Sequence, residues 1–513
     1  MPYLNSIIMP VHVKCSFFTR VYCLLAILLL GAAGADAQTW YRQYGGSALD
    51  TFRNFTSAVD DSSAVYIADT GSYHLFYSRI STTGSSSSTD SSSRNGLNAG
   101  ILMRERSYGN LLNDTIATSG TGANGVYAMG AGSAVSIVGS TIATTGNRAH
   151  GVDVTYTATA SLSGVYITTT GDTASALATD YGGGTIAMDG GTLSAAGHMS
   201  AGIYSTGTIN VANATVVSTA DNGAVIDVDG AIYLTNTSLT GAQNGVMMHN
   251  TVNGSYFATM IMNGGSVTAL NGHAFYDTGA TAGININHGT TVSAGSGYLV
   301  YVVSNGVAIF TAQKETISGN IYADNTSVAN INLIDTTSLS GIITHASVRM
   351  DTSSTWNVTG TSHLVAFADE GSVNTIALTV SNVTGNGFNV YYDPMLPGNV
   401  WLAGRSFALI NGGCLLPEGS ICAGNTNAVA TTENKGVRVY PNPAADLLTV
   451  AYPASFAGAA VSVTGIDGRV VMSTVLHPGT TSTVINVSGL RIGLYIMTIT
   501  GDAGRQLIKF TRE

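Results

Sequence analysis

The sequence is poor in charge and in proline. Only 9% of its 513 residues are Asp, Glu, Lys or Arg, and nine are proline, whereas 62 are glycine. Glu and Lys are common on the surfaces of helices, so their scarcity argues against a mainly helical protein. The low proline content and the absence of a Gly-X-Y period exclude collagen. A hydrophobic fraction of 45% excludes an intrinsically disordered chain. The composition therefore indicates an all-β protein.

Basic residues are missing from a long central stretch. No Lys or Arg lies between Arg148 and Lys314. Binding to DNA or RNA requires cations that neutralise phosphates, so this region is not expected to bind nucleic acid. Lyases that act on uronate polymers abstract a proton with a basic Arg or Lys. The same stretch is therefore not expected to hold a polyuronate lyase.

Long apolar runs are confined to the N-terminus. A basic flank with Lys14 and Arg20 precedes a short apolar run, and small residues then end at Ala37, before Gln38. This order is typical of a signal peptide, which we predict over residues 1–37. The run is shorter than the roughly 20 residues that a membrane-spanning helix needs, and no comparable run follows. No transmembrane segment is expected.

Cysteine is also scarce. The chain has four cysteines, of which only Cys414 and Cys422 follow the predicted leader. In an oxidising compartment we expect this pair to form a local disulfide, within a loop or linker over residues 396–435. Two free thiols are the alternative. The pair has no clustered histidines and makes a poor zinc site, and the sequence shows no metal or cofactor motif.

The middle of the chain repeats about every 25 residues. Three elements recur in the same order in each repeat. The first is a small or polar residue followed by Gly or Ala and an apolar residue, as in Asn124-Gly125-Val126. The second is a pair of apolar residues two positions apart, such as Val135 and Ile137, and the third is a single aliphatic residue such as Ile142. A period of two indicates a strand with one buried face. Such short strands can bury that face only by stacking on the next repeat.

This pattern predicts a right-handed parallel β-helix, a solenoid with three strands per coil, over residues 101–395. Residues 38–100 lack the phase and predict an irregular N-terminal cap over the open end of the solenoid. Because the repeat length varies, extra residues are expected to bulge from the turns and leave the strands intact. A β-sandwich would also alternate, but it would not hold three elements in phase.

The central repeats resemble a known family. The segments Leu339-Ser340-Gly341-Ile342 and Ser354-Thr355-Trp356-Asn357-Val358-Thr359-Gly360 carry the closest similarity. From about residue 124 to 371 the chain resembles the pertactin-like passenger repeats of bacterial autotransporter adhesins. The resemblance implies a β-helix with an adhesive role.

Residues 436–513 carry a second and more specific set of motifs. Its residues are Tyr440, Pro441, Asn442, Pro443, Asp467, Gly468, Arg469, Gly493, Tyr495 and Lys509. The segment is similar to the type A C-terminal sorting domain of the type IX secretion system. Its alternating runs independently predict a small Ig-like β-sandwich. An accessory carbohydrate-binding sandwich is the alternative.

The sorting-domain resemblance implies a route and partners. It implies export across the outer membrane of a Bacteroidetes-type cell by the type IX secretion machinery. It also implies removal of the domain by a sortase-like peptidase, and then attachment to surface lipopolysaccharide or release. The expected location is therefore outside the cell, secreted or on the outer cell surface.

No set of residues forms an evident active site. Between Arg148 and Lys314 the only close carboxylates, Asp227 and Asp229, share one face of a strand and fit a solvated turn better than the paired acids of a hydrolase. His150 and His273 occupy the slot that holds asparagine in other repeats, which indicates a polar turn position. We therefore predict no catalytic, metal or cofactor residues.

A row of tyrosines is the candidate binding face. Tyr127, Tyr204 and Tyr276 each follow an inward aliphatic or aromatic residue, and are expected to point outward, where they could stack on sugars or a partner protein. Coverage of neighbouring turns is the alternative. We predict a non-enzymatic, adhesin-like β-helix that binds polysaccharide or a host or matrix protein. The alternatives are a polysaccharide hydrolase and a passive surface stalk.

Overall fold

The computed structural model describes residues 37–38, 40–252, 254–422, 436–465, 469–501 and 504–513. The chain divides into two compact units, with the boundary after Ser420. The predicted signal peptide, apart from Ala37, and the motif residues Asp467 and Gly468 lie outside the described residues.

The larger unit is a parallel β-helix of about 15 coils. Each coil visits three sheets in turn, as in Val126–Met129 (sheet 1), Ala134–Val138 (sheet 2) and Thr141–Thr144 (sheet 3). Each strand pairs in parallel with its equivalent in the next coil, so the residue 26 positions beyond Val126, Val152, lies directly beside it. The predicted fold class and the three-strand coil are confirmed.

The strands of the solenoid form three long parallel sheets. Sheet 1 comprises Tyr41–Tyr44, Val65–Ala68, Ile101–Met103, Val126–Met129, Val152–Thr155, Leu177–Thr179, Ile203–Ser205, Ala224–Asp227, Val246–His249, Phe275–Thr278, Tyr298–Val303, Asn320–Ala323, Val390–Tyr392 and Cys414–Pro417. Sheet 2 comprises Ser47–Thr51, Ser72–Phe76, Tyr108–Leu112, Ala134–Val138, Thr208–Ala212, Ala231–Thr235, Ala258–Asn263, Thr281–Asn287, Val307–Gln313 and Val328–Ile334. Sheet 3 comprises Ala37–Gln38, Asn54–Ser57, Arg79–Thr82, Thr115–Thr118, Thr141–Thr144, Thr215–Ser218, Ser238–Gly241, Ser266–Ala269, Thr291–Ala294, Thr316–Ser318, Ser338–Gly341, Thr355–Val358, Thr379–Thr384 and Phe407–Ile410. Strands that turn a corner belong to two sheets: Thr159–Thr169 and Thr185–Ala195 to sheets 2 and 3, and Ile343–Met350 and Ser362–Asp369 to sheets 1 and 2. The short strand Val373–Asn374 pairs antiparallel with Thr379–Thr384.

Stacked apolar rows form the core of the solenoid. Ile116 and Ile142 lie side by side in sheet 3, and both are fully buried. Threonines such as Thr115 and Thr141 alternate with them and point to solvent. Burying one such isoleucine contributes about 2–3 kcal/mol. The period-two pattern therefore places an apolar ladder inside and uncharged, β-favouring residues outside.

The prediction of an irregular cap over residues 38–100 is wrong. Strands Tyr41–Tyr44 and Ser47–Thr51 pair in register with the following coil, so the solenoid starts near residue 40. Aromatic core residues such as Phe55 and Tyr73 replace the aliphatic ones there. A long insertion over residues 83–99, with the helix Thr89–Asn95, breaks the spacing and hides the phase in the sequence.

The predicted loop and linker over residues 396–435 is also partly structured. A 3₁₀ helix, Pro397–Leu402, precedes strands Phe407–Ile410 and Cys414–Pro417, which continue the solenoid. Cys414 and Cys422 form a disulfide. The short, Gly-interrupted strands of this last coil resemble a loop in sequence, which explains the difference.

The smaller unit contains two antiparallel sheets. One comprises Arg438–Tyr440, Leu447–Ala451 and Ser482–Asn486, and the other Ala460–Gly465, Val470–Val475, Gly493–Gly501 and Gly504–Arg512. A short 3₁₀ helix, Ala454–Phe456, precedes the second sheet. Leu448, Val463 and Phe510 belong to the shared apolar core and are fully buried. This arrangement agrees with the predicted small β domain.

Candidate functional site

A groove with a volume of about 1210 Å³ crosses the outer face of sheet 1. Tyr204, Val225 and Met247, on three successive coils, are among its lining residues. Ser93, from the insertion over residues 83–99, lines one end, and Val252, from the insertion after strand Val246–His249, lines the other. Extra residues in the turns therefore form the walls of the groove, while the strands beneath them stay in register.

One wall of the groove is held together by aromatic and ionic contacts. The guanidinium of Arg94, on the helix Thr89–Asn95, lies 4.2 Å from the ring centre of Tyr181. The Tyr181 hydroxyl donates a hydrogen bond of 3.1 Å to Asp90 on the same helix. Tyr181 begins the Gly-rich turn over residues 181–184, which also lines the groove. The helix and this turn thus support each other.

Of the three tyrosines predicted to point outward as a candidate binding face, Tyr127 is not exposed. Tyr127 is fully buried beneath the helix Thr89–Asn95, and its hydroxyl donates to the Ser93 carbonyl at 2.6 Å. It therefore cannot belong to an exposed binding face. Tyr204 is half-buried on the groove, and Tyr276 is half-buried next to Met247 in the following coil. The sequence could not show that an upstream insertion covers Tyr127.

An aromatic strip extends from the groove beyond Tyr276. In register with it lie Tyr301 and Tyr322, and the rings of those two stack with centres 4.8 Å apart. The ring of His273 stacks on Tyr301 at 4.1 Å. Sequence reasoning missed this strip because a β-bulge at Tyr298 shifts the phase by one residue. Because the rings of this strip stack on one another, it exposes mainly ring edges and hydroxyl groups.

Two carboxylates of the groove lie on one outward row. Thr179 pairs with Ser205 and Ser205 with Ile226, so the next residues, Asp180 and Asp227, share a row two coils apart. The Asp227 carboxylate accepts hydrogen bonds from the Tyr204 hydroxyl (3.1 Å) and from the hydroxyl (2.7 Å) and N–H (3.0 Å) of Thr251. Asp227 is 3% exposed, whereas Asp229 is exposed. The interpretation as a solvated turn thus holds for Asp229 and is wrong for Asp227.

A second acidic cluster joins the groove at Asp180. One ligand-type atom from each of His150, Asp153 and Asp180 lies within 4.8 Å of the others. Asp153 is fully buried, and its Oδ1 accepts the N–H of Asp180 at 3.3 Å. Within the described residues its Oδ2 has no hydrogen-bond partner. Sequence reasoning did not connect these residues, because two coils contribute them.

Burial dominates the electrostatics of this cluster. It raises the pKa of Asp153 well above the ordinary range, and the charge of Asp180 adds to the rise. Burial also raises the pKa of Asp180, and the charge of Asp227 adds to this rise. Burial lowers the pKa of His150, so this ring is neutral at pH 7. The neighbouring carboxylates therefore favour retaining a proton.

The hydrogen bonds of His150 make this cluster a poor metal-binding site. Its Nδ1 accepts the N–H of Ser175 at 3.0 Å, so the neutral ring carries its proton on Nε2, which lies 3.7 Å from Asp180. A metal-bound histidine instead donates its other ring N–H. In the neighbouring coil Asn124 Oδ1 accepts the N–H of His150 at 2.7 Å. His150 therefore replaces an asparagine in a coil-to-coil ladder, as the turn-slot interpretation predicts.

Some motif residues of the smaller unit form hydrogen bonds within that unit. The Asn442 side chain donates to the Lys509 carbonyl at 3.2 Å and accepts the N–H of Thr511 at 2.9 Å. The Tyr495 hydroxyl donates to the Arg491 carbonyl at 2.8 Å. Tyr440 is 53% exposed. Asn442 thus fastens the first loop of this unit to its last strand.

Comparison with known families identifies this unit. Residues 438–511 match the family described as secretion system C-terminal sorting domain. The chain ends in a sorting domain. This domain directs export to the cell surface or into the medium through the type IX machinery, and the β-helix before it agrees with the pertactin-like resemblance. No curated protein matches the chain. In the described part of the chain, no helix has the length and apolar character needed to cross a membrane.

Proposed function

We propose that the exported β-helix binds a polysaccharide in the groove and along the adjoining aromatic strip, in an adhesin-like role. The supporting observation is the groove itself, which at about 1210 Å³ exceeds the usual size of a small-molecule pocket. Hydroxyl, amide and carboxylate groups line it together with Tyr204 and Tyr181. Such a mixture of polar groups and aromatic faces suits a sugar chain.

The charge of the groove narrows the class of glycan. Asp180, Asp221, Asp227 and Asp229 line it, and Arg148 is the only Lys or Arg among its lining residues. A negative surface repels polyanions and attracts neutral or cationic ligands. The ligand class is therefore a neutral or amino-sugar polysaccharide, and a uronate polymer is disfavoured.

The proposed export route rests on the predicted signal peptide and on the sorting domain. The proposed steps are removal of the signal peptide after Ala37 and passage through the type IX machinery. A sortase-like peptidase then removes the sorting domain, and the β-helix is attached to surface lipopolysaccharide or released. In this order the groove faces the surroundings of the cell.

Two other functions are compatible with the fold. A passive stalk would not require the groove, in which two insertions and a Gly-rich turn meet over one face. A polysaccharide hydrolase is the second candidate, and the two carboxylates of Asp180 and Asp227 on one row favour it. A host or matrix protein is a less suitable ligand, because a groove accepts an extended chain more readily than a folded surface.

A polysaccharide array tests the binding function. We expect the secreted chain to be retained on neutral polysaccharides such as β-glucan, xylan, galactomannan or chitin. Tyr204→Ala should weaken binding roughly tenfold, since one aromatic contact contributes about 1–1.5 kcal/mol. Tyr166→Ala is the matched control, because Tyr166 is 56% exposed on sheet 3, away from the groove. Equal binding of both variants, or no retention on these polysaccharides, would contradict the proposal.

A further inference from the structure

The starting point is the unpartnered oxygen of Asp153. Its Oδ2 is buried without a hydrogen-bond partner in the described structure, beside the side chains of His150 and Asp180. Two ionised carboxylates so close together in a buried site repel each other, and an unpaired buried charge is costly. A single proton held by one of these two carboxyls, Asp153 or Asp180, removes both problems. His150 cannot supply it, since this ring is neutral and holds its own proton on Nε2.

Only one of these two carboxyls reaches the groove. Asp180 lines it and is partly exposed, whereas Asp153 is fully enclosed behind it. A proton held by the pair can therefore leave toward a bound ligand only through Asp180. Asp153 acts behind it and is a positioning residue.

Asp227 is placed to act as the partner base. It lies two coils from Asp180 on the same row, which corresponds to about 9–10 Å at the usual strand spacing. A carboxylate offers about four acceptor positions, and donors from Tyr204 and Thr251 use three. His249 Nε2 lies 3.8 Å from Asp227 Oδ1, beyond hydrogen-bond distance, so the remaining position can accept a hydrogen bond from water. This backbone spacing lies at the upper end of the separation between the two carboxyl groups of inverting glycosidases and is about twice that in retaining ones.

We propose that the groove cleaves the neutral polysaccharide that it binds, with Asp180 as proton donor and Asp227 as base. A water oxygen attacks the anomeric carbon while the glycosidic C–O bond breaks. The proton of Asp180 goes to the leaving oxygen, and a proton of the water goes to Asp227. One water is consumed, and the anomeric centre inverts. The inference rests on the proposed glycan binding and adds a reaction to it.

The first experiment uses the full secreted chain and a soluble form of each polysaccharide in the array. Reducing ends and the anomeric signals of the first product are followed by proton NMR. We expect inverted product, and a loss of at least about 1000-fold in rate for Asp180→Asn and Asp227→Asn with binding retained. The control is Asp189→Asn, an exposed residue outside the groove whose substitution should leave the rate unchanged.

The outcomes separate the two proposals. Binding without cleavage would overturn the hydrolysis and leave the binding function intact. Absence of binding to every probe would overturn both. Cleavage that survives in Asp180→Asn, or a product of retained configuration, would overturn the assigned roles.

A second experiment needs no glycan. The infrared difference spectrum at pH 7 between the native chain and Asp153→Asn should show one protonated carboxyl band, because Asp277, whose pKa burial raises to about 7, contributes equally to both spectra and cancels. In the glycan assay of the first experiment, the same variant should shift the alkaline limb of the rate profile to lower pH, because Asp180 then loses the proton of the pair. Calorimetric titration with Zn²⁺ is the opposing test. One tightly bound zinc ion that is lost in Asp153→Asn would show a metal site and overturn the proton held by the pair.

Discussion

At the scale of single residues, Asp277 is an acid that lies in the apolar interior of the solenoid. Asp277 pairs with Met248 on one side and Val302 on the other, and both of these face the apolar interior. Its Oδ1 accepts the N–H of Ala280 at 2.9 Å, and its Oδ2 has no partner among the described residues. Burial raises the pKa of Asp277 to about 7. This carboxyl closes a turn and is neutral in acid, but it is charged at a cost above pH 7.

The pKa of Asp277 predicts a pH dependence of stability. Because the folded pKa exceeds the ordinary value of 3.8, the folded state binds more protons than the unfolded state between about pH 4 and 7. The contribution of Asp277 to stability therefore falls as the pH rises through this window. Asp277→Asn keeps the bond to Ala280 and removes the charge. We expect the variant to be more stable than the native chain by roughly 2–4 kcal/mol at pH 8, and about equal at pH 4.

Chemical denaturation at the two pH values measures this difference. Asp189→Asn serves as the control, because Asp189 is exposed and should not alter the pH dependence. Parallel stability curves for the native chain and Asp277→Asn would show that the carboxyl is not responsible.

At the scale of elements, the turns stack as closely as the strands do. A Cβ atom on Gly146 would lie 1.9 Å from the Gly120 carbonyl oxygen, and one on Gly171 would lie 1.9 Å from that of Gly146. Gly197 repeats the same contact in the next coil. These glycines are needed because the backbones of neighbouring coils touch at this corner. Part of the glycine surplus thus sets the spacing of the coils.

Substitution in this glycine ladder should be destabilising. Gly146→Ala forces the turn away from the coil below, and we expect a loss of about 3 kcal/mol, the upper range for overpacking. Gly130→Asn is the matched control, because Gly130 has a φ of +84° with nothing within 4 Å, and asparagine tolerates this conformation. Thermal unfolding followed by circular dichroism measures both. A melting temperature of Gly146→Ala equal to that of the control would contradict a steric role for this ladder.

At the scale of the whole molecule, the chain combines a β-helix, which carries the proposed binding groove, with an export domain. The β-helix needs no charge for its stability, because backbone pairing and apolar rows hold the coils together. Charged side chains can therefore be confined to particular surfaces, such as the acidic lining of the groove. The sorting domain has its own apolar core, with Val450 and Met497 fully buried.

Deletion of residues 436–513 tests the role of the sorting domain in a Bacteroidetes host with a type IX system. We expect the shortened protein to accumulate in the periplasm, because it lacks the domain that the type IX machinery recognises. Surface labelling and fractionation measure the location. The full-length Asp189→Asn variant is the control and should be exported. Undiminished surface exposure after the deletion would contradict the assignment.

Much of this molecule was predictable from its sequence, because the relevant interactions are local or periodic. Rows such as Ile116 and Ile142 recur at coil spacing, and the polar slot of Asn124 and His150 recurs with them. The groove was not predictable, since its depth depends on insertions that reach across several coils. A β-bulge of one residue was enough to hide Tyr301 and Tyr322.

The sequence by itself determined the three-strand coil, its apolar interior and the sorting domain, because periodicity and motif are properties of neighbours along the chain. Only the tertiary structure decided which outward-facing residues of different coils lie near one another on the surface. Asp180 and Asp227 are 47 positions apart in sequence and come together because two coils of stacking reduce that separation to about 9–10 Å. Tyr127 is removed from the surface for the same reason, since a helix from the preceding coil folds over it.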